Sequence, residues 1–294
     1  MDSRVEIREF LTSRRARISP AEAGLPAGGS SRRVPGLRRE ELASLAGVSI
    51  SYYIRLERGD ATGVSDSVLD AISRALKLDD AERAHLAALV RATGRRAPRA
   101  TATTRLRPAV QHMLDSLTEA PAIVHSPRLD IIGANDLARA AYWPMFEIEA
   151  VPNLARYAFL HATGPTDTTA WPDWDAIADQ LVSMLRVAAG HDPHDRGLTD
   201  LVGELATRSD EFRRRWASHN VHRHTNGVIR YLHPEVGELT LRYESFDVAA
   251  EPGLALKIYN AEPGSPSAEA LRLLATWYAS RKSPAAEVTA RDPG

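Results

Sequence analysis

Five histidines in the second half of the chain are the side chains best suited to hold a metal ion. They are His191, His194, His219, His222 and His224. On an extended strand His222 and His224 would share one face, a spacing that zinc ligands use. The expected third ligand is absent from that segment, and arginines crowd it. The sequence therefore predicts no metal site there, and a solvated or substrate-facing histidine pair instead.

Other catalytic chemistry has no matching pattern. The chain contains no cysteine, which excludes a thiol nucleophile, a disulfide framework and an iron–sulfur cluster. No Ser/His/Asp or paired-carboxylate arrangement has the spacing of a known enzyme family. There is also no phosphate-binding P-loop and no dinucleotide-binding glycine motif. We therefore expect a protein that is not an enzyme and that carries no cofactor.

The charged residues point to nucleic acid as a partner of the first third of the chain. Residues 1–100 contain 18 basic and 13 acidic side chains, and residues 101–294 contain 19 and 25, within a net charge of −1. A basic segment joined to an acidic remainder indicates a nucleic-acid-binding module attached to a domain that does not bind it. A solvated surface charged by chance gives the same split, so this pattern needs further support.

The N-terminal residues and the apolar runs indicate the compartment. Residues 1–17 are rich in Arg and Glu, which is unlike a secretory signal. The longest charge-free apolar run, residues 140–146, is too short to span a bilayer. We expect a cytoplasmic protein that does not bind membranes.

Two breaker-rich segments divide the chain. Residues 95–104 contain a proline but no large apolar residue and no period, which predicts a flexible linker. Residues 282–294 are predicted to form a disordered tail. The expected domains are therefore residues 1–94 and residues 105–281.

Apolar residues at helical spacing predict an all-α bundle of five helices in residues 1–94. After a first helix and a breaker-rich loop to Gly36, a short helix should end at Gly47, which can take the left-handed conformation of a sharp turn. Ser49 is a good N-cap for the helix that follows. The inward positions of this helix-turn-helix are predicted to be Leu42, Ala43, Ala46, Val48, Tyr53 and Leu56. Ile50 and Ile54 then lie on the exposed side.

Residues 35–59, within flanking helices that span residues 4–93, resemble the phage-repressor-like DNA-binding domain of the Xre family. The resemblance implies that the second helix of the motif lies in the major groove with its N-terminal residues at the base edges. It therefore implies DNA contacts from Ser49, Ile50, Ser51, Tyr52, Ile54 and Arg55, with Arg55 reading guanine and the isoleucines meeting thymine methyl groups. Arg39 and the Tyr52 hydroxyl would contact phosphates. The alternative is that Arg55 is an ordinary solvent-exposed charge that contacts no base.

Glu57 resembles the acidic residue that pairs with an arginine of the first helix in these folds. Alignment to the family favours Arg15 as the partner, whereas helical spacing from Ile7 favours Arg14. The role is structural in either case.

Residues 105–281 show an α+β pattern, one antiparallel sheet covered by helices. A helix should begin at Pro108, followed by strands near 122–125 and 129–133 and by a helix that Pro144 stops. Helices are expected near 174–189, 198–206 and 210–218, and a last one from Ser267. Between these, Ile229/Tyr231, Leu239/Leu241/Tyr243 and Leu254/Leu256/Ile258 alternate with Arg230, Arg242 and Lys257. This predicts three strands with one buried face and the basic residues outside.

The same region resembles the MmyB-type ligand-binding domain, a PAS-like fold associated with long-chain fatty acids. The matching segments include Arg107-Pro108, residues 130–135, Pro172-Asp173-Trp174, residues 201–205, residues 233–241 and residues 262–267. One position departs from the pattern, because Ala134 stands where the family commonly has Trp before the asparagine. If that Trp shapes the pocket, the ligand here is bulkier or different.

Large aromatic side chains are the candidates for a ligand pocket. Trp143, Phe159, Trp174, Trp216 and Tyr243 could surround an apolar cavity between the sheet and its helices. Ordinary core packing is the alternative for each of them. A carboxylate on the ligand would need Arg, His or backbone N–H groups beside the pocket.

These observations predict a homodimeric transcriptional regulator. Its partners would be double-stranded DNA with a pseudo-palindromic operator and a small apolar ligand, for which the resemblance implies a fatty acid. The alternative is a DNA-binding regulator whose second domain binds a partner protein. The linker is too polar to hold the domains rigidly, so control should act through dimer geometry or through docking of the second domain on the first.

Overall fold

The computed structural model describes residues 2–25, 36–94, 106–161, 171–221 and 225–282. The predicted linker at 95–104, the tail beyond residue 282, and His222 and His224 lie outside these ranges. Within them the chain forms thirteen α-helices, one π-helical turn and five β-strands. The expected combination of an all-α first domain and an α+β second domain is confirmed.

The first domain contains the five predicted helices. They are α1 (Ser3–Arg17), α2 (Arg39–Leu45), α3 (Ile50–Glu57), α4 (Asp66–Ala75) and α5 (Asp80–Gly94). Leucine, isoleucine and aromatic side chains from all five helices meet in one apolar core. Of the six predicted inward positions of the helix-turn-helix, five are buried and Val48 is partly buried against the core.

The turn between α2 and α3 has the predicted geometry. Gly47 adopts a φ of +66°, a left-handed conformation that costs glycine little. The Ser49 Oγ accepts a hydrogen bond from the Tyr52 backbone N–H at 3.1 Å, which caps α3. These two residues fix the direction in which α3 leaves the bundle.

The buried carboxylate of Glu57 ties α3 to the rest of the domain. Arg15 Nε donates to Glu57 Oε1 at 2.9 Å, and the Tyr53 hydroxyl donates to the same atom at 3.3 Å. Arg14 instead pairs with Glu82 of α5, with 2.7 Å between Nε and Oε1. Of the two arginines that the sequence left open, Arg15 is therefore the partner of Glu57.

The second domain contains eight helices and the sheet. The helices are α6 (Pro108–Asp115), α7 (Asp136–Ala141), α8 (Trp143–Ile148), α9 (Leu154–Arg156), α10 (Trp174–His191), α11 (Arg196–Arg208), α12 (Asp210–Ala217) and α13 (Pro266–Lys282). The π-helical turn at Tyr157–His161 continues α9. The strands are β1 (Ala122–His125), β2 (Ile131–Ala134), β3 (Asn226–His233), β4 (Gly237–Asp247) and β5 (Ala255–Asn260).

All strand pairs of the sheet are antiparallel, in the order β2-β1-β5-β4-β3. Its inner face packs on α7, α10 and α13 in the large apolar core of the domain. The outer face of β1 and β5 packs on α6 through Leu114, Val124 and Leu256. The outer face of β3 and β4 exposes Val228, Leu232 and Phe246.

Two details of the second domain differ from the sequence expectation. The helix before Pro144 ends at Ala141, two residues earlier than expected, and Pro144 itself lies in the first turn of α8, where a missing N–H costs nothing. The predicted alternation of β5 is inverted, so Lys257 and Tyr259 are buried inward whereas Leu256 and Ile258 face α6. Both the odd-numbered and the even-numbered positions of β5 carry large side chains, so periodicity alone could not show which of them face the core.

The two domains pack directly against each other. Helix α5 lies along α10, and the His85 ring is close enough to Gly190 that a Cβ there would come within 2.7 Å of it. Val221, which follows α12, is fully buried in the apolar core of the first domain. Of the two routes of control expected from the sequence, dimer geometry and docking of the second domain on the first, the structure contains the docked contact.

Candidate DNA-binding and ligand-binding sites

The N-terminal turn of α3 forms an exposed surface of the first domain. Ile50 is 46% exposed and Ser51 is also exposed, while Tyr53 and Leu56 on the opposite side are buried. Ile54 is only partly exposed. An apolar side chain held in solvent at the start of a helix suits contact with thymine methyl groups in a major groove.

Arg55 lies one turn further along the same side of α3. Its guanidinium stacks over the Tyr52 ring at 5.1 Å and lies 4.0 Å from Asp60. Because this ion pair is long and solvent-exposed, it holds the side chain weakly. The guanidinium is therefore free to turn toward a guanine edge at little cost.

Arg39 is the first residue of α2 and is half-exposed. Its Nε donates to Glu57 Oε2, so the same carboxylate that binds Arg15 also orients Arg39. The sequence suggested Arg39 as a phosphate contact but did not show this anchoring. Whether these side chains touch DNA stays a prediction. The structure exposes Ile50, Ser51 and Arg55 on α3 and holds Arg39 against Glu57, the last residue of the same helix.

Three of the five candidate ligand-binding aromatics lie in one stack. The Phe159 ring packs edge-to-face on Trp174 at 5.7 Å and on Phe212 at 5.1 Å, and Phe212 stacks on Trp216 at 5.6 Å. The indole N–H of Trp174 donates to the Ala158 carbonyl at 3.2 Å. These rings therefore pack on one another within the core of the second domain.

The other two candidates lie apart from that stack. Trp143 packs edge-to-face on Trp277, with the Arg281 guanidinium 4.3 Å above its ring. Tyr243 lies on the inner face of β4, opposite Tyr259 of β5. The structure thus separates the five aromatics into three places and does not gather them around one cavity.

A buried cation beside Tyr243 was not expected from the sequence. Lys257 is only 7% exposed, and its Nζ lies 3.9 Å from the centre of the Tyr243 ring. Among the described residues it has no ion pair and donates no hydrogen bond, and burial lowers its pKa to about 7. His125 of β1 faces the same interior, and its Nε2 is buried without a hydrogen-bond partner in the described part of the chain.

The domain interface contains a second buried cation, this one paired. Arg186 of α10 is 0% exposed, and its Nη1 lies 2.9 Å from Glu6 Oε2 of α1. Its guanidinium stacks 4.1 Å over the Trp216 ring and donates to the Trp216 carbonyl. Arg186 therefore joins the first helix of the first domain to the last ring of the aromatic stack in the second domain.

His219 completes this interface in its neutral form. Arg186 Nη1 donates to His219 Nδ1 at 2.9 Å, so Nε2 carries the proton and faces Glu9 at 3.3 Å. Arg14 donates to the His219 carbonyl. Burial and the nearby arginines lower the pKa of His219 to about 3. Burial also lowers the pKa of His85 to about 3, and neither of its ring nitrogens has a described hydrogen-bond partner.

Across the described ranges there is no group of three or more His, Cys, Asp or Glu side chains placed to hold a metal ion. None of the described helices is both long and apolar enough to cross a membrane.

An exposed helix-turn-helix face joined to a separate domain with a helix-covered antiparallel sheet is typical of a DNA-binding regulator with a second, non-DNA-binding domain. Comparison with protein families agrees with this class. The helix-turn-helix domain family matches residues 6–86, and the MmyB-like transcription regulator ligand binding domain matches residues 106–274. The second match covers more than half of the chain, which therefore belongs to the MmyB-like transcription regulator family. A search of the curated proteins finds no match.

Proposed function

We propose that this protein is a cytoplasmic transcriptional regulator of the Xre type that acts by binding alone. In this proposal α3 reads an operator, and the interior of the second domain binds a small ligand that controls DNA affinity. The observation that carries the proposal is the exposed face of Ile50, Ser51 and Arg55 on a capped helix whose opposite side is buried.

The contacts on α3 divide by role. Arg55 has the geometry to donate two hydrogen bonds to guanine O6 and N7, and Ile50 and Ile54 would contact thymine methyl groups. Ser49 and Ser51 would donate from the helix start. Arg39 and Tyr52 would hold the phosphate backbone, which adds affinity without sequence preference.

A dimer is the expected binding form. A single motif of this size buries too little surface for tight specific binding, so two copies should occupy half-sites about one helical turn apart on a pseudo-palindrome. The exposed outer face of β3 and β4, with Val228, Leu232 and Phe246, offers the second domain an apolar surface for self-association. The same surface would serve a partner protein, which is the alternative function.

Coupling between the sites would run through the docked interface. A ligand that moves Phe159 or Phe212 would move Trp216, and with it Arg186 and its ion pair to Glu6 in α1. A ligand shifts DNA affinity only as far as it prefers one interdomain arrangement, and a coupling of about 1–3 kcal/mol is typical. Trp174 and Trp216 fluorescence should report such a change.

A long-chain fatty acid is the ligand that the family resemblance suggests. Mass spectrometry of molecules extracted from the natively purified protein tests this. Recovery of a fatty acid at about one per chain supports the proposal, whereas recovery of a bound protein and no small molecule favours the alternative.

DNA binding is tested by comparing two variants on the selected operator. Arg55→Ala should cost about 1–3 kcal/mol of operator-binding free energy and relax the preference at one base pair per half-site. Arg39→Ala should weaken binding to all DNA sequences evenly. Arg83→Ala, on the exposed side of α5, is the matched control. Unchanged operator affinity in both test variants would contradict the assignment of α3.

A further inference from the structure

The last turn of α1 is gripped by a short segment of the second domain. Arg14 is 2% exposed, and its guanidinium donates to the His219 carbonyl. Arg17 donates to the side-chain carbonyl of Asn220. Both acceptors belong to residues 218–221, which follow α12 and which we call the clamp segment. The clamp segment therefore fixes the end of α1 from the side of the second domain.

The clamp segment itself is held by both domains. Val221 is fully buried in the apolar core of the first domain, and Arg186 of α10 donates to His219 Nδ1 at 2.9 Å. His219 has a φ of +54°, a left-handed backbone that a residue other than glycine adopts at a cost. Such a conformation persists only where the surrounding contacts impose it. We therefore expect the segment to relax when the two domains separate.

The opposite side of the same α1 turn supports the start of α2. The Leu37 backbone N–H donates to the Arg15 carbonyl at 3.1 Å, and Arg15 Nη1 donates back to the Leu37 carbonyl at 2.7 Å. Gly36 lies so close to α1 that a Cβ there would overlap with the Arg15 carbonyl. Leu37 is two residues before Arg39, the first residue of α2. The position of Arg39 therefore follows the last turn of α1.

A second link from Arg15 to Arg39 runs through a buried carboxylate. Glu57 is 1% exposed; its Oε1 accepts from Arg15 Nε at 2.9 Å, and its Oε2 accepts from Arg39 Nε. Within the described ranges the Nη groups of Arg39 make no contact, and about half of this side chain is exposed. A guanidinium anchored through Nε offers its other donors to a phosphate and loses less side-chain freedom on binding.

We propose that Arg15 is a positioning residue for DNA binding, through which docking of the clamp segment holds Arg39 ready for a phosphate. The docked form then binds DNA tightly, and a ligand that releases the clamp segment weakens binding. This inference rests on the proposed function, because it takes Arg39 as a phosphate contact. It adds the direction of control and the side chain that receives it. Such a link is demonstrated only by a measured coupling between its two ends.

The test is a double-mutant cycle on the full-length protein, titrated with an operator selected from random duplex DNA. Val221→Ala should weaken operator binding about five-fold. It should also lower the slope of log affinity against log salt concentration by about one per half-site, as loss of a phosphate contact does. In an Arg39→Ala background Val221→Ala should have no further effect. In an Arg55→Ala background it should keep its full effect, because base reading does not depend on the clamp segment.

Three further variants complete the experiment. His219→Gly loosens the clamp segment without opening the first-domain core, because glycine accepts the φ of +54°, and it takes the place of Val221→Ala should that variant not fold. Arg15→Gln should lower the salt slope in the same way, and Arg15→Lys, which keeps a charge beside Glu57, should restore part of it. Val151→Ala, at a valine that is 55% exposed, is the matched control.

The outcomes separate this inference from the proposed function. Operator binding that is unchanged or tighter in Val221→Ala overturns it, as does an unchanged salt slope in Arg15→Gln. A full effect of Val221→Ala in the Arg39→Ala background also overturns it, because the loss then does not pass through Arg39. Weaker binding in Arg55→Ala but not in Arg39→Ala overturns the inference and leaves base reading by α3 in place. If neither arginine variant changes operator affinity, the proposed function itself fails.

Discussion

The buried ion pair between Glu6 and Arg186 gives a quantitative test of the domain interface. Arg186 is fully buried and the side chain of Glu6 is about 10% exposed, with 2.9 Å between Nη1 and Oε2. Glu6→Gln keeps the shape of the side chain but leaves the guanidinium without its counter-ion. Removing one partner of a buried pair costs about 3–5 kcal/mol. Because the Trp216 carbonyl and ring remain as partners, we expect the lower end of that range.

The effect is measured as the free energy of unfolding in urea. Adding Arg186→Met to Glu6→Gln should recover most of the loss, since the orphaned charge is then gone. The coupling between the two substitutions should exceed about 1 kcal/mol in a double-mutant cycle. Glu9→Gln, a half-exposed neighbour, is the control and should cost less than about 1 kcal/mol. A loss below that value for Glu6→Gln, or additive effects in the cycle, would refute the interface described above.

Three further predictions concern stability. First, His85 and His219 have pKa values of about 3 in the folded protein against about 6.5 when unfolded, so their stabilisation is complete above pH 6.5 and declines as the pH falls. At pH 5.5 the free energy of unfolding should be about 1.4 kcal/mol lower per histidine than its high-pH value, and in His85→Leu the part due to His85 should be missing. A free energy of unfolding that does not change with pH over this range would contradict the burial argument. Second, Glu57→Gln should cost about 2–3 kcal/mol, because the buried Arg15 bond loses its charge, and a fully stable variant would disprove this. Third, Gly47→Ala should cost about 1 kcal/mol and Gly47→Asn less, by thermal unfolding, because asparagine tolerates the left-handed backbone better; equal losses would count against this reason.

The sequence was most informative where a local rule determines the structure. The glycine at the turn and the serine cap located the helix-turn-helix, because each has a backbone role that few residues can fill. Alternation also predicted the strands β3 and β4 with the correct faces. These features depend on neighbours within a few residues.

The rest depends on packing between distant segments, which periodicity does not report. The inward face of β5 is decided by α6 covering Leu256 and Ile258, so Lys257 could not be placed from its strand alone. Arg186 lies in the middle of an amphipathic helix, and its partner Glu6 is 180 residues earlier. Of the five candidate aromatics, Phe159, Trp174 and Tyr243 are buried whereas Trp143 and Trp216 are only partly buried, and only the fold shows that the five divide into three places.

The burial of Val221 in the core of the first domain has a consequence for engineering. The first family match ends at residue 86 and the second begins at residue 106, which suggests that the second domain could be exchanged by a cut between them. Such a chimera would lose Val221 and leave a gap among the side chains of the DNA-binding bundle. Glu6 and His85 would also lose their contacts with α10 and face an unrelated surface. To respond to a new signal, the DNA-binding domain of this protein therefore has to be transferred together with a compatible α10 and the residues after α12. The alternative is to redesign the surface of α1 and α5 that contacts them.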